Sequence, residues 1–336
     1  MPMTSSLHPT AATHLPSTPP LAAATSFCRL CGAIDGREVL HAGGRALLAC
    51  SGCSLVRLDP MPDAAELSAV YDSGAYYTTQ PPHPRQGWPK RLQDRVLQAW
   101  WDYPGPARRG LRRVLGRVLT WPLRHRFLPV PFPGDAAVLD IGCGNGQRLL
   151  ELQQHGCTAL FGIEPTRAAA EQARRHTRAE IHAGLLEDAP LQDAKFALVI
   201  LNQVLEHVPS PVDTLRRIHA LLGERGRLYL TVPNLASLEA HLAGEHWDGL
   251  QIPVHLHHFS PVSLRRTLES AGFAVELCRT DSVADVSRNT WRALRDSGQR
   301  SWLARMPWRV LQLLGLVADA CGRGQMLRVV ARKRDG

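Results

Sequence analysis

No stretch of this 336-residue chain carries an unbroken apolar run near the roughly 18 residues that a bilayer-crossing helix needs, so the sequence offers no transmembrane segment. The first 26 residues, rich in Pro, Thr, Ser and Ala, lack the basic start and apolar centre of a secretory signal. From these two absences a soluble, cytoplasmic protein is expected. There is no internal repeat and no low-complexity tract beyond that tail. Acidic residues are nearly missing from one region: between Arg85 and Arg126 eleven Lys/Arg face only Asp94 and Asp102. The formal charge of +9 therefore sits almost wholly in that segment, and a uniformly basic nucleic-acid binder is not what the chain resembles.

What is present fits a packed protein with much loop: 44% hydrophobic and 21% charged residues, 25 prolines and 27 glycines. The length allows one large core and a smaller module. The division expected is a disordered tail over 1–26, a zinc-binding module over 27–77, a basic Trp/Arg-rich helical linker over 78–133, and a large domain over 134–336.

Of eight cysteines, Cys143, Cys157, Cys278 and Cys321 are scattered, while Cys28, Cys31, Cys50 and Cys53 form two Cys-x-x-Cys pairs 18 residues apart. That spacing suits a tetrathiolate zinc site, each pair on a tight turn and both clasping one tetrahedral ion. Gly32 and Gly52 supply turn flexibility. A pair of disulfides is disfavoured in a reducing compartment, and a redox dithiol would need no second pair. With four thiolates the ion has no open position, so its expected role is to fold a segment too small for its own core.

A short helix is expected over 64–71. Within the basic segment, Leu111, Val114, Leu115, Val118 and Leu119 recur at helical spacing with arginines between them. Two readings stand: a surface helix packed on the catalytic domain with solvated arginines, or a peripheral contact of residues 85–126 with anionic membrane headgroups or a phosphate-bearing carrier, favoured by tryptophans beside arginines.

From Ala137 onward apolar strands alternate with helical patterns, the mark of βαβ units. Strands are expected at 138–141, 160–163, 180–182, 196–201, 227–232, 273–278 and 327–331, with helices at 148–155, 167–175, 211–222 and 261–271. The fold class is α/β: a doubly wound, seven-stranded, mostly parallel sheet with the last strand antiparallel, preceded by a small zinc-ribbon-like module and the basic helical segment. A helix over 302–320 is expected to pack on the domain.

At the end of the first of these strands stands Val138-Leu-Asp-Ile-Gly-Cys-Gly-Asn-Gly146. Gly142, Gly144 and Gly146 let the main chain approach a ligand closely, at the carboxyl edge where such sheets bind nucleotides. The spacing Gly-x-Gly-x-Gly is tighter than the dinucleotide fingerprint. With Asp140 two residues before the first glycine, it suits a ligand bearing an ammonium and a carboxylate instead of a pyrophosphate. Glu164 follows Gly146 by 18 residues at the end of the second strand, where a carboxylate takes both ribose hydroxyls.

These residues resemble the class I S-adenosylmethionine-dependent methyltransferases over about 200 residues. Phe196-Ala-Leu-Val-Ile-Leu-Asn-Gln-Val-Leu-Glu-His-Val208 looks like the family's fourth strand and its turn, and Gly226-Arg-Leu-Tyr-Leu-Thr-Val-Pro-Asn234 like its fifth strand. Trp247, Pro253-Val-His-Leu-His-His-Phe-Ser260 and Ala271-Gly-Phe273 resemble the subgroup that modifies small molecules, including quinone-precursor and sugar methyltransferases. A cysteine-rich module ahead of the domain is similar to some sugar methyltransferases.

The resemblance implies S-adenosylmethionine as cofactor, with Asp140, Gly142, Gly144 and Gly146 along its methionine and ribose, Glu164 on the ribose, and the Asn202 carbonyl at the methionine end. The pattern departs where many relatives carry a polar residue near the adenine: here Leu185 and Leu186 stand, with Glu187 and Asp188 following.

Methyl transfer is an in-line displacement that draws on alignment and water exclusion. A base is required only when the acceptor must lose a proton, and histidine titrates near the working range. His255 is the first candidate and His207 the second; Glu206 is read as an orienting neighbour, and His257 and His258 as loop structure. Three histidines also suggest metal, but no carboxylate stands at a supporting spacing. Trp247 reads equally as pocket wall or loop anchor, and Cys143 as a small buried spacer.

The expected acceptor is a small molecule: a sugar, a sugar nucleotide or a lipid-linked glycan. The alternatives are an RNA methyltransferase gripping phosphate through the basic segment, weakened by Asn202-Gln-Val-Leu where base-amino enzymes carry an Asn/Asp-Pro-Pro-aromatic tetrad, and a non-catalytic cofactor-binding scaffold. Oligomeric state is not legible.

Overall fold

A seven-stranded sheet is the centre of the protein, seen in a computed structural model that describes residues 27–72, 110–120, 135–191, 195–282, 284–298 and 305–334, together with 91, 92, 95, 96 and 99. The tail over 1–26, most of the basic segment and residues 301–304 lie outside the described residues.

In chain order the described strands are β1 (Gly36–Ala42), β2 (Arg45–Cys50), β3 (Val56–Asp59), β4 (Val138–Ile141), β5 (Leu160–Glu164), β6 (Glu180–Ala183), β7 (Phe196–Asn202), β8 (Leu222–Pro233), β9 (His257–His258), β10 (Phe273–Asp281) and β11 (Met326–Lys333). The helices are α1 (Ala64–Asp72), α2 (Leu111–Thr120), α3 (Gln147–Gln154), α4 (Arg167–His176), α5 (Pro211–Leu221), α6 (Leu238–Ala243), α7 (Pro261–Ser270), α8 (Ala284–Asp296) and α9 (Trp308–Ala320).

The large sheet runs β10-β11-β8-β7-β4-β5-β6. Pairings β4–β5, β4–β7, β5–β6 and β7–β8 are parallel, whereas β11 is antiparallel to both β8 and β10, as the sequence leads one to expect. The strand order reverses between β4 and β7, which opens a crevice at their carboxyl ends. Alternation along the strands supplies both faces with apolar side chains. Leu139, Ile141, Val199 and Leu201 pack with the Leu215, Ile218, Leu264 and Leu268 side of α5 and α7. On the other face Val138, Leu198, Ile200 and Tyr229 pack with Leu149 and Leu152 of α3 and with Ala170 and Ala173 of α4. Helices cover both faces, so the central parallel strands β4, β5 and β7 are almost wholly buried, while the edge strand β6 exposes Glu180 and Ala183.

The small sheet has the order β1-β2-β3-β9, all antiparallel. Its fourth strand comes from the later part of the chain: Val56 pairs with His258 and Arg57 with His257. Cys28, Cys50, Cys53 and Leu55 are buried in the same apolar cluster as the large sheet's Leu139 and Leu230. The cysteine segment is thus built onto the α/β core.

In α2 the structure departs from the packed-helix reading. The apolar side is the outer one: Leu111, Val114, Leu115, Val118 and Leu119 are exposed, at 51–78%. The inner side is Gly116, whose Cα faces Ala99, and Arg117, whose Nε donates to the Ala99 carbonyl at 3.0 Å. The first contact favours glycine because any Cβ there would lie 3.0 Å from that of Ala99.

Candidate functional site

The turn after β4 is wound tightly. Gly142, Gly144 and Gly146 have φ of +69°, +55° and +82°, a region that side chains with a Cβ rarely enter. A Cβ on Gly142 would fall 2.5 Å from Val204 Cγ2, so the turn is pressed against the segment leaving β7. Gly142 and Cys143 both donate to the Ile163 carbonyl, at 2.8 and 3.0 Å, which ties the turn to β5. Cys143 is buried and its thiol is pushed to a high pKa by that burial and by the nearby Asp140 and Glu164, so it is a spacer and no nucleophile.

Glu164 closes β5. Its two carboxylate oxygens accept the main-chain N–H of Gly144 and of Thr166, each at 2.8 Å. This fixes the carboxylate beside the glycine turn, and each oxygen retains a lone pair for a further donor. Asp140 is 2% exposed, and burial pushes its carboxyl up to about 7, with Glu164 raising it further and Arg148 opposing. Asn202 ends β7, with its Oδ1 taken by the Thr231 hydroxyl at 2.7 Å. Leu186 is buried while Leu185 is half exposed.

Past β7 the chain brings in a second cluster. Glu206, His207 and His255 each offer a ligand atom, and these atoms lie within 4.8 Å of one another. His207 Nδ1 lies 3.0 Å from the Val254 carbonyl, and His255 Nδ1 lies 2.9 Å from that of Gly249. The two rings meet edge to face at 4.7 Å. Burial lowers the pKa of His207 to about 4 and holds His255 well below 6.5, the neighbouring His207 and His258 adding to the latter, so both rings are neutral at pH 7. Glu206 is fully buried, neither carboxylate oxygen has a hydrogen-bond partner, and its carboxyl rises to about 8.

This corrects two expectations. Of the three loop histidines, His255 meets a carboxylate, Glu206, along with that residue's sequence neighbour His207, and the fold brings them together. Glu206 is no side-chain orienter of His207; its main-chain carbonyl accepts the Leu256 and His257 N–H groups at 2.8 and 3.1 Å and so holds the histidine loop. The donor set of two imidazoles and a carboxylate is one that divalent cations accept, and imidazoles engaged through Nδ1 by carbonyls are arranged as metal ligands are. His257 and His258 are buried in β9, as structural residues. Trp247 is 2% exposed and its ring packs on Gly249, which makes it a loop anchor.

The four cysteines converge as their spacing requires. Cys28 and Cys53 sulfurs lie 3.5 Å apart, Cys31 and Cys50 3.4 Å, and all four within 4.8 Å. Zinc–sulfur bonds of about 2.3 Å in a tetrahedron set sulfurs about 3.8 Å apart, so the cluster has the size of a tetrathiolate site. Each pair sits on a knuckle: Gly32 N–H donates to the Cys28 carbonyl at 2.8 Å and Ser54 N–H to that of Cys50 at 2.9 Å.

A separate, narrow apolar pocket lies between α6, α8 and α9, lined by Glu239, Leu242, Leu314 and Gln325 among others, and touches none of these residues. No described helix is long and apolar enough to cross a membrane.

Comparison with known proteins agrees with this geometry. Residues 108–277, half of the chain, match the methyltransferase domain family. The chain is 27% identical over 210 residues to a ubiquinone biosynthesis O-methyltransferase of Xanthomonas axonopodis pv. citri, covering 59% of this chain and 82% of that protein. It is 30% identical over 156 residues to a protein of the same name from Haemophilus ducreyi, covering 42% and 61%. An S-adenosylmethionine-dependent methyltransferase structure from Mesorhizobium loti superposes with a TM-score of 0.43 at 20% identity, covering 64% of this chain and 97% of that one. With the β4 turn, the acid closing β5 and the sheet order in place, the chain belongs to the methyltransferase domain family and is a class I S-adenosylmethionine-dependent methyltransferase.

Proposed function

We propose that this small-molecule methyltransferase acts on a hydroxyl oxygen. The first acceptor class is a sugar, sugar nucleotide or lipid-linked glycan. A phenolic quinone precursor is the second reading, favoured by relatives whose name is ubiquinone biosynthesis O-methyltransferase. The observation that carries an oxygen acceptor is the buried Glu206–His207–His255 cluster, on the segment that presses Val204 against Gly142. A hydroxyl, unlike a thioether or free amine, must lose a proton to become a good nucleophile.

S-adenosylmethionine supplies the electrophilic methyl group when bound. The glycine turn lets main chain lie against it, Asp140 faces its ammonium, and Glu164 holds the ribose hydroxyls through the lone pairs its two N–H donors leave. With Asn202 Oδ1 taken by Thr231, the Asn202 main-chain carbonyl is left to meet the methionine end. His255, neutral and oriented by the Gly249 carbonyl, accepts the acceptor's proton, with His207 as the second base. A divalent cation held by Glu206, His207 and His255 would instead acidify the hydroxyl directly, a reading that the unpartnered Glu206 carboxylate favours. Cys28, Cys31, Cys50 and Cys53 hold structural zinc.

The test is transfer of labelled methyl from S-adenosylmethionine to a panel of sugar nucleotides, lipid-linked sugars, quinol-type phenols and total RNA. Label recovered as an O-methyl ether of a small molecule is expected. Label confined to RNA, or to nitrogen or sulfur of the acceptors, would overturn the proposal.

A further inference from the structure

α2 is mounted inside out. Its small and polar side meets the protein, through Gly116 against Ala99 and the Arg117 bond to the Ala99 carbonyl. Ala99 and Val96 are themselves buried, Val96 within the apolar cluster of Val138 and Leu160. The helix is thereby attached to the core, with its five apolar side chains outward. Leu111, Leu115, Val118 and Leu119 are each more than half exposed, and Val114 at 57% widens the stripe. On a helix of ten residues this face spans almost its whole length, far beyond scattered single exposures.

Charge decides what can cover it. Between 108 and 126 the chain carries seven arginines and no Asp or Glu. A second copy laid on this face would bring two such arginine sets together without an acid to pair them, which disfavours self-association. A solvent-facing apolar stripe in a stretch of sequence rich in arginine and free of acid matches a surface that is both apolar and anionic: the headgroup and acyl boundary of a membrane with anionic lipid. We propose that α2 docks the enzyme peripherally on an anionic membrane, its apolar face in the boundary and the arginines on headgroup phosphates. Docking this way does not depend on the acceptor's identity.

The experiment is cosedimentation of the full chain with vesicles of phosphatidylcholine alone or mixed with phosphatidylglycerol. Binding only to the anionic vesicles, weakening as salt is raised, is expected. Leu115→Glu combined with Val118→Glu should weaken binding about tenfold or more, with the melting temperature and affinity for S-adenosylhomocysteine unchanged. Should that pair fail to fold, the milder Leu111→Ser with Leu119→Ser, both at strongly exposed positions, is read the same way. Absence of binding to anionic vesicles would overturn the proposal, as would binding that survives the folded variants. A concentration-dependent dimer that the substitutions dissolve would assign the face to a second copy instead, and would overturn it too.

Discussion

Val56, three residues past the last of the four clustered cysteines, sits opposite His258 as its antiparallel strand partner. The next link is as direct: Leu58 N–H donates to the Leu256 carbonyl at 3.1 Å, and Leu256 N–H donates to the Glu206 carbonyl at 2.8 Å. The cysteine knuckles, the histidine loop and the turn after β7 therefore share one hydrogen-bonded run, so the state of the cysteines is expected to bear on the order of the histidine loop.

The purified, reduced protein is expected to hold about one zinc per chain. Cys28→Ser with Cys31→Ser should lose it, with faster hydrogen exchange over 255–258 as well as over 28–58. A metal-free wild-type protein, or exchange unchanged at the histidine loop, would contradict the coupling.

Asp140 sets a pH dependence. Its folded pKa of about 7 lies above the ordinary 3.8. The folded state thus holds the proton more tightly, and the group's contribution to stability, present below about pH 4, is lost as pH rises toward 7. Cofactor affinity runs the other way, because the ammonium prefers the ionised carboxylate. Calorimetry in buffers of different ionisation heat should show proton release on binding near pH 6 and affinity rising through pH 7, both absent in Asp140→Asn.

For the base, His255→Ala should lower kcat about 100-fold or more, with cofactor affinity kept. His207→Ala should cost less if His255 carries the proton. Equal, small losses from both would shift the weight to a cation at Glu206, and activity lost to a chelator and restored by a divalent metal would be the accompanying result.

Much of the large sheet was legible because its signals are local. Val138 to Ile141 is apolar but for Asp140 and leads into glycines, and 196–201 is a second apolar run, each followed by a helix start; alternate side chains then serve the two faces. The end of β8 was read, but its start at Leu222 was not, because Glu224 to Gly226 break the apolar pattern while the main chain stays extended. The glycine turn and Glu164 were legible for the same reason of short spacing.

What the sequence hid is non-local. Glu206 and His255 are 49 residues apart, and only the loop folding back onto the Glu206 carbonyl puts them together. The pairing of β3 with the two-residue β9 has no periodicity to reveal it. In α2 the amphipathic pattern was plain, but periodicity states that a stripe exists and not which way it faces; Gly116 at the centre of the opposite side was the available hint.

The most direct measurement is calorimetric titration of S-adenosylmethionine into the wild-type protein and into Glu164→Gln, which keeps one oxygen for the Gly144 or Thr166 donor. One site per chain is expected in the wild type, unaffected by NAD, and affinity should fall about tenfold or more in the variant as a charge-assisted ribose contact is lost. Equal affinity in both proteins, or displacement by NAD, would contradict the assignment of the β4 turn and the Glu164 carboxylate to this cofactor.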